Sequence, residues 1–91
     1  MSNVQSVFDS VCKSGFENSK NSIFCEAKLM KGTVSNKVVF YLYDNVNDRQ
    51  FENHVCLTDE EYDVLNDNFD SFWEYSEKYA ENAWQQKIFL L

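Results

Sequence analysis

The sequence predicts an α+β fold: an N-terminal helix, a three-stranded antiparallel sheet, and a long acidic C-terminal helix that runs through or breaks in two. Three observations predict it. Apolar residues near the N-terminus recur at helical spacing. The middle of the chain holds three short runs rich in β-branched and aromatic residues, two of them alternating with a period of two. The last third returns to helical spacing. With 91 residues, the chain is expected to form one domain, 1–91.

The first element is a helix over residues 3–16. Val4, Val7, Phe8, Val11 and Cys12 fall on one face. Ser2 with Gln5 fits a capping box, and Gly15 suits the helix end. Residues 17–21, ENSKN, form a polar connection. The first strand, 22–30, is expected to place Ile23, Cys25, Ala27 and Leu29 on one side and Glu26 and Lys28 on the other. The second, 37–44, is apolar on both faces, with Val38, Phe40 and Leu42 against Val39, Tyr41 and Tyr43. That pattern marks a central strand covered on both sides. The turn between them lies within 31–36, with Gly32 and Ser35-Asn36 as candidates. A turn-rich loop at 45–49 leads to the third strand, 50–57, which alternates through Phe51, Val55 and Leu57. Short connections favour an antiparallel meander.

Thr58 then opens a helix. TDEE is a capping box, with Thr58 as the N-cap and Glu61 three residues on. Acids in the first turn suit the helix dipole. The pattern extends to about residue 87, roughly 43 Å of helix. A domain of this size has a radius of gyration of only ~12 Å. The helix must therefore overhang the body or break, and 66–68 and Ser76 are its weak points. Tyr62, Leu65, Phe69, Phe72, Ser76, Tyr79 and Ala83 step by three and four and form the core-facing stripe.

Charge is distributed unevenly. The net charge is −7. Residues 1–57 hold six acids and six bases and sum to zero; residues 58–91 hold nine acids and two bases, so the surplus of seven lies there. Between Thr58 and Glu77 there are eight acids and no base. Glu60, Asp63, Asp67, Asp70, Glu74, Glu77 and Glu81 share one helix face opposite the apolar stripe, one carboxylate every ~5 Å. One reading is an ordinary solvated face. Such faces usually mix signs, however, and like charges at this spacing cost a few tenths of a kcal/mol per pair, roughly 1–3 kcal/mol over the row. Glu74 with Lys78 is the only favourable offset within it. A row that costs stability points to attraction by a basic surface. Two copies in a homodimer would approach the charge density of a duplex, which carries one phosphate per ~1.7 Å of axis. Val39, Tyr41 and Tyr43, or the terminal IFLL at 88–91, could supply the dimer contact. IFLL could equally fold back onto its own core.

Other chemistry finds little support. Direct phosphate binding needs clustered Lys and Arg, and the sequence has no such cluster. Cys12, Cys25 and Cys56 form no CxxC pair and read as reduced thiols of a cytoplasmic protein. No basic-then-apolar leader opens the chain, and no apolar run is long enough to span a bilayer. His54 and Cys56 share a strand face but lack the third group that orients a nucleophile pair. One His and scattered Cys lack zinc spacing. Residues 66–77 echo a calcium loop without its turn glycine. Trp73 and Trp84 read as packing residues. No cofactor, metal or catalytic residue is expected, and an enzyme is the least favoured class.

The stretches YLYDNVNDRQF (41–51) and DSFWEYSEKYAENAWQQK (70–87), with the small size and acidic C-terminal helix, resemble the T-even phage anti-restriction family Arn. The likeness is one of general plan over most of the chain and includes no short catalytic motif. It implies a dimeric DNA mimic, acting in the host cytoplasm, that occupies the DNA-binding surface of the restriction endonuclease McrBC. That target follows from the resemblance alone; the residues themselves indicate an acidic ligand for a basic surface. The alternative is an immunity protein or antitoxin for a basic nuclease toxin, with hot spots at aromatics such as Trp73 or Tyr75. A third reading is a structural subunit with an incidentally acidic helix.

Overall fold

A computed structural model of the protein describes the backbone of residues 3–17 and 22–90 and the side chains through residue 82. Expectations for Ser2, most of the 17–21 connection, Ala83, Trp84 and the IFLL side chains lie outside the described residues. The elements are α1 (Val4–Phe16), β1 (Ser22–Met30), β2 (Asn36–Asp44), β3 (Arg49–Leu57), α2 (Asp59–Asp67) and α3 (Phe69–Leu90). The strands form one antiparallel sheet in the order β1-β2-β3. This is the expected α+β arrangement, with the C-terminal helix in two pieces.

α1 starts one residue later than the Ser2 capping box implied. Asn3 is the N-cap, and its side chain accepts the Gln5 backbone N–H at 2.9 Å. Asn is among the best N-caps because its short carbonyl reaches an otherwise unpaired amide. Val7, Phe8, Val11, Cys12 and Phe16 are buried, whereas Val4 is exposed. Gly15 does not terminate the helix in a left-handed turn. It lies inside it, where a Cβ would sit 2.3 Å from the Phe40 ring. The glycine is there for close approach. Its carbonyl, one of the last in the helix, accepts from Asn53 Nδ2 at 2.6 Å, which ties the end of α1 to β3.

β1 departs from simple alternation. Phe24 pairs with Leu42 and Glu26 with Tyr41, so Cys25 is an extra residue in a bulge. A bulge inverts the facing of everything on one side of it. Ala27 and Leu29 face the helices as expected. Before the bulge, the inward residues are Ser22 and Phe24, while Ile23 and Cys25 are exposed. The β1–β2 connection closes at Gly32, where a Cβ would lie 2.2 Å from the Ser35 carbonyl oxygen. The β2–β3 turn occupies 45–48. Asp44 accepts from the Val46 and Asn47 amides at 2.9 and 3.1 Å and from Asn47 Nδ2 at 2.8 Å. The Asn47 contacts hold the Asp44 carboxyl below the usual carboxylate range. Asp48 takes the left-handed conformation this turn requires, at φ 52°.

All three helices pack on one sheet face. Phe40 is the centre of the core, with ring centroids of Phe16, Phe72 and Phe24 at 4.9, 5.9 and 6.3 Å. Phe8 meets Phe72 at 5.4 Å and so joins α1 to α3. Cys12 Sγ and Ser76 Oγ, both fully buried, lie 3.5 Å apart. Burial pushes the Cys12 thiol up to about 11. Ser76 is thus a close contact between helices and not a helix break.

The other sheet face carries Val39, Tyr41 and Tyr43. Among the described residues no helix covers it. Val39 is nevertheless buried, flanked by its cross-strand partners Lys28 and His54. The sheet's own long side chains cover Val39, but Tyr41 and Tyr43 stay half-buried, so among the described residues the second face lacks the full cover its sequence implied. Lys28 Nζ lies 5.5 Å from the Tyr41 ring centroid and 4.0 Å from Glu26. Lys37 Nζ is 3.1 Å from His54 Nδ1, whose Nε2 is 3.5 Å from Glu52.

Candidate functional site

The acidic row begins at Thr58. Its hydroxyl accepts the Glu61 amide at 3.1 Å, and the Glu61 carboxylate accepts the Thr58 amide at 2.8 Å. This is the reciprocal capping box read from TDEE. A buried Asn36 donates to Asp59 at 2.7 Å and anchors the start of α2 to the start of β2. The inward face of α2 and α3 holds Leu65, Phe72, Ser76 and Ala80, all buried, with Tyr62, Phe69 and Tyr79 partly buried beside them. Once this face is fixed against the sheet, 3.6-residue periodicity sends the opposite face to water.

Glu60, Asp63, Asp67, Asp70, Glu74, Glu77 and Glu81 are all exposed, as expected of a face opposite the core. Asp63, Asp67, Asp70, Glu74, Glu77 and Glu81 make no ion pair or hydrogen bond among the described residues. Lys78 therefore does not neutralise Glu74.

It is not one straight row. Asn68 leaves the helical region, at φ −127° and ψ 35°, and separates α2 from α3. Hydrogen bonding passes through the break. The Asn68 amide donates to the Val64 carbonyl at 3.2 Å, its side-chain amide donates to the same oxygen at 2.9 Å, and its own carbonyl accepts from Phe72 at 2.9 Å. Asn competes for backbone groups in this way, which makes it a poor interior helix residue. The result is two arms: Glu60, Asp63 and Asp67 on α2, then Asp70, Glu74, Glu77 and Glu81 on α3. Asp67 and Asp70 flank the break and line a shallow polar depression of about 350 Å³.

The α3 arm also divides. Glu74, with Ser71, Tyr75 and Lys78, borders a groove of about 520 Å³ against the start of α1. Glu77 and Glu81 border a separate groove against the start of β1. Sequence reasoning missed this division, because the facing of Ser22 and Ile23 depends on a bulge that no local pattern announces. It did locate the break, from the weak helix formers at 66–68.

Cys25 and Cys56 are exposed free thiols on the sheet, and Cys12 is buried in the core. Among the described residues no three His, Cys, Asp or Glu side chains converge on a point that could hold a metal ion. No helix of the described residues is long and apolar enough to cross a membrane. Comparisons with family models, with curated proteins and with solved structures return no match.

Proposed function

We propose that this protein is a DNA mimic that inhibits a DNA-processing enzyme, in the manner of an McrBC-type restriction endonuclease inhibitor, by occupying its basic DNA-binding surface. One observation carries the reading: a run of exposed carboxylates on two successive helices, of which Asp63, Asp67, Asp70, Glu74, Glu77 and Glu81 make no ion pair among the described residues. A protein groove that binds phosphates is lined with Lys and Arg. Such a groove attracts this face over several ångströms and captures it fast. The mechanism needs neither turnover nor a cofactor.

The helix-free sheet face, where Tyr41 and Tyr43 are half-buried, supports a homodimer in which two acidic faces act together. Two bent rows present more charge per unit length than one, closer to the spacing along a duplex.

The test is inhibition of methylated-plasmid cleavage by a modification-dependent endonuclease at low and high salt. Inhibition is expected to weaken steeply as salt rises and to be competed by unrelated duplex DNA. Changing Asp67, Asp70 and Glu74 to Lys should abolish it while the circular dichroism spectrum stays native. Full inhibition by that triple variant would overturn the reading.

A further inference from the structure

The groove between α3 and the start of β1 combines an apolar floor with two carboxylates of the acidic row. It measures about 290 Å³ and is lined by Ser22, Ile23, Phe24, Ala80, Glu77 and Glu81. The floor is apolar: Ala80 is buried, Phe24 half-buried, and Ile23 48% exposed. The Phe24 ring is held by an edge contact with Trp73, at 5.4 Å between centroids. The rim is anionic. Glu77 and Glu81 stand four residues apart on α3, so their side chains rise side by side, with Cβ atoms roughly 5–6 Å apart.

A second, independent feature lies at the inner wall. Ser22 is 93% buried, being 7% exposed, and its hydroxyl makes no hydrogen bond among the described residues. It is not sealed off, since no buried side-chain polar atom lacks a partner; its remaining surface opens into the groove. A polar group at that depth without a protein partner has a place for a ligand donor.

We infer that this groove is a receptor for one arginine side chain of the protein partner. The inference rests on the DNA-mimic reading and adds to it a point of specific recognition. An arginine stem covers apolar floor while its head stays polar. The guanidinium carries five N–H donors in a planar fork, suited to paired carboxylates, and stacks on aromatic rings. Here Glu77 and Glu81 accept from the fork, the Ser22 hydroxyl accepts one further N–H, and Phe24 offers its ring. Lysine brings a compact ammonium without the plane or the fork and satisfies fewer of these groups. The remaining acids attract any cation; this groove selects among them.

Hexa-arginine and hexa-lysine serve as probes, titrated into the isotope-labelled full chain at low salt. Affinity is read by calorimetry and location by the Ile23 and Ala80 methyl resonances. The wild-type protein is expected to bind hexa-arginine more tightly than hexa-lysine, with those methyls shifting for the arginine peptide. E77Q/E81Q should lose about ten- to a hundredfold for hexa-arginine and erase the preference. D63N/D67N removes the same charge elsewhere on the row and should weaken both peptides alike, leaving the preference intact. Equal losses in the two double variants without any arginine preference would overturn the receptor and leave the electrostatic row standing. Failure of both peptides to bind the wild-type protein would overturn both.

Discussion

Gly15 and Cys12 show how much of this fold hangs on single side chains in α1. A methyl group at Gly15 would lie 2.3 Å from the ring of Phe40, itself fully buried among three other aromatic rings. Ala is the better helix former by ~1 kcal/mol, but overpacking a tight core costs about 1–3 kcal/mol. The clash wins because Phe40 has no free space to enter. Gly15→Ala is therefore expected to lower the urea midpoint with an unchanged slope. An equal or higher midpoint would mean that the ring yields freely. At Cys12 the effect is on reactivity. Its thiol is buried and pushed up to about 11, while Cys25 and Cys56 are exposed. Only the thiolate reacts. Iodoacetamide at neutral pH should modify Cys25 and Cys56 in the native protein and reach Cys12 only after unfolding. Peptide mass mapping reads this directly. Composition and spacing foretold neither result. Gly15 looked like a helix terminus because that is where glycine usually serves, and its real constraint comes from a strand more than twenty residues away.

At the scale of elements, local patterns were legible wherever one face alone decided the outcome. The capping box at Thr58 and Glu61, the apolar stripe through Leu65, Phe72 and Ser76, and the weak point near Asn68 all appear as written in the sequence. β1 was legible only beyond its bulge, since an inserted residue changes phase without changing composition. The acidic helices also carry an internal conflict. Successive like charges three and four residues apart repel. Replacing Asp70, which stands between Asp67 and Glu74, with Asn should raise the melting temperature at low salt, by the equivalent of a few tenths of a kcal/mol. The gain should vanish in high salt, where exposed charges are screened within about 3 Å at 1 M. If D70N is less stable at low salt, its role at the start of α3 outweighs repulsion, because an acid there also favours the helix dipole.

For the whole molecule, the sheet side and the helix side differ in charge. On the sheet, Lys28 stands beside Glu26, and His54 lies between Lys37 and Glu52. The helix side carries the uncompensated surplus that makes the net charge −7. Such a molecule has a strong dipole as well as a net charge, and it should meet a cationic surface helix side first. Its stability should rise when sodium chloride is increased from low to physiological concentration, as repulsion along α2 and α3 is screened. A thermal scan series checks this; falling stability over that range would show that the paired charges of the sheet matter more than the row. The surplus and its location were evident from the sequence. Its bend was foreseen only as one of two outcomes, since the helix could also have overhung the body.

The bulge at Cys25 also affects how this sheet can meet other chains. β1 and β3 are the two edges, and an edge strand offers unpaired amides and carbonyls to any passing strand. On β1 the extra residue disrupts the regular ladder, and a newcomer would have to match the irregularity to pair along its length. β3 runs from Arg49 to Leu57 in unbroken register with β2. The sheet can therefore be extended in one direction far more readily than in the other. Strand-by-strand growth, whether into an ordered pair or an aggregate, is favoured at β3.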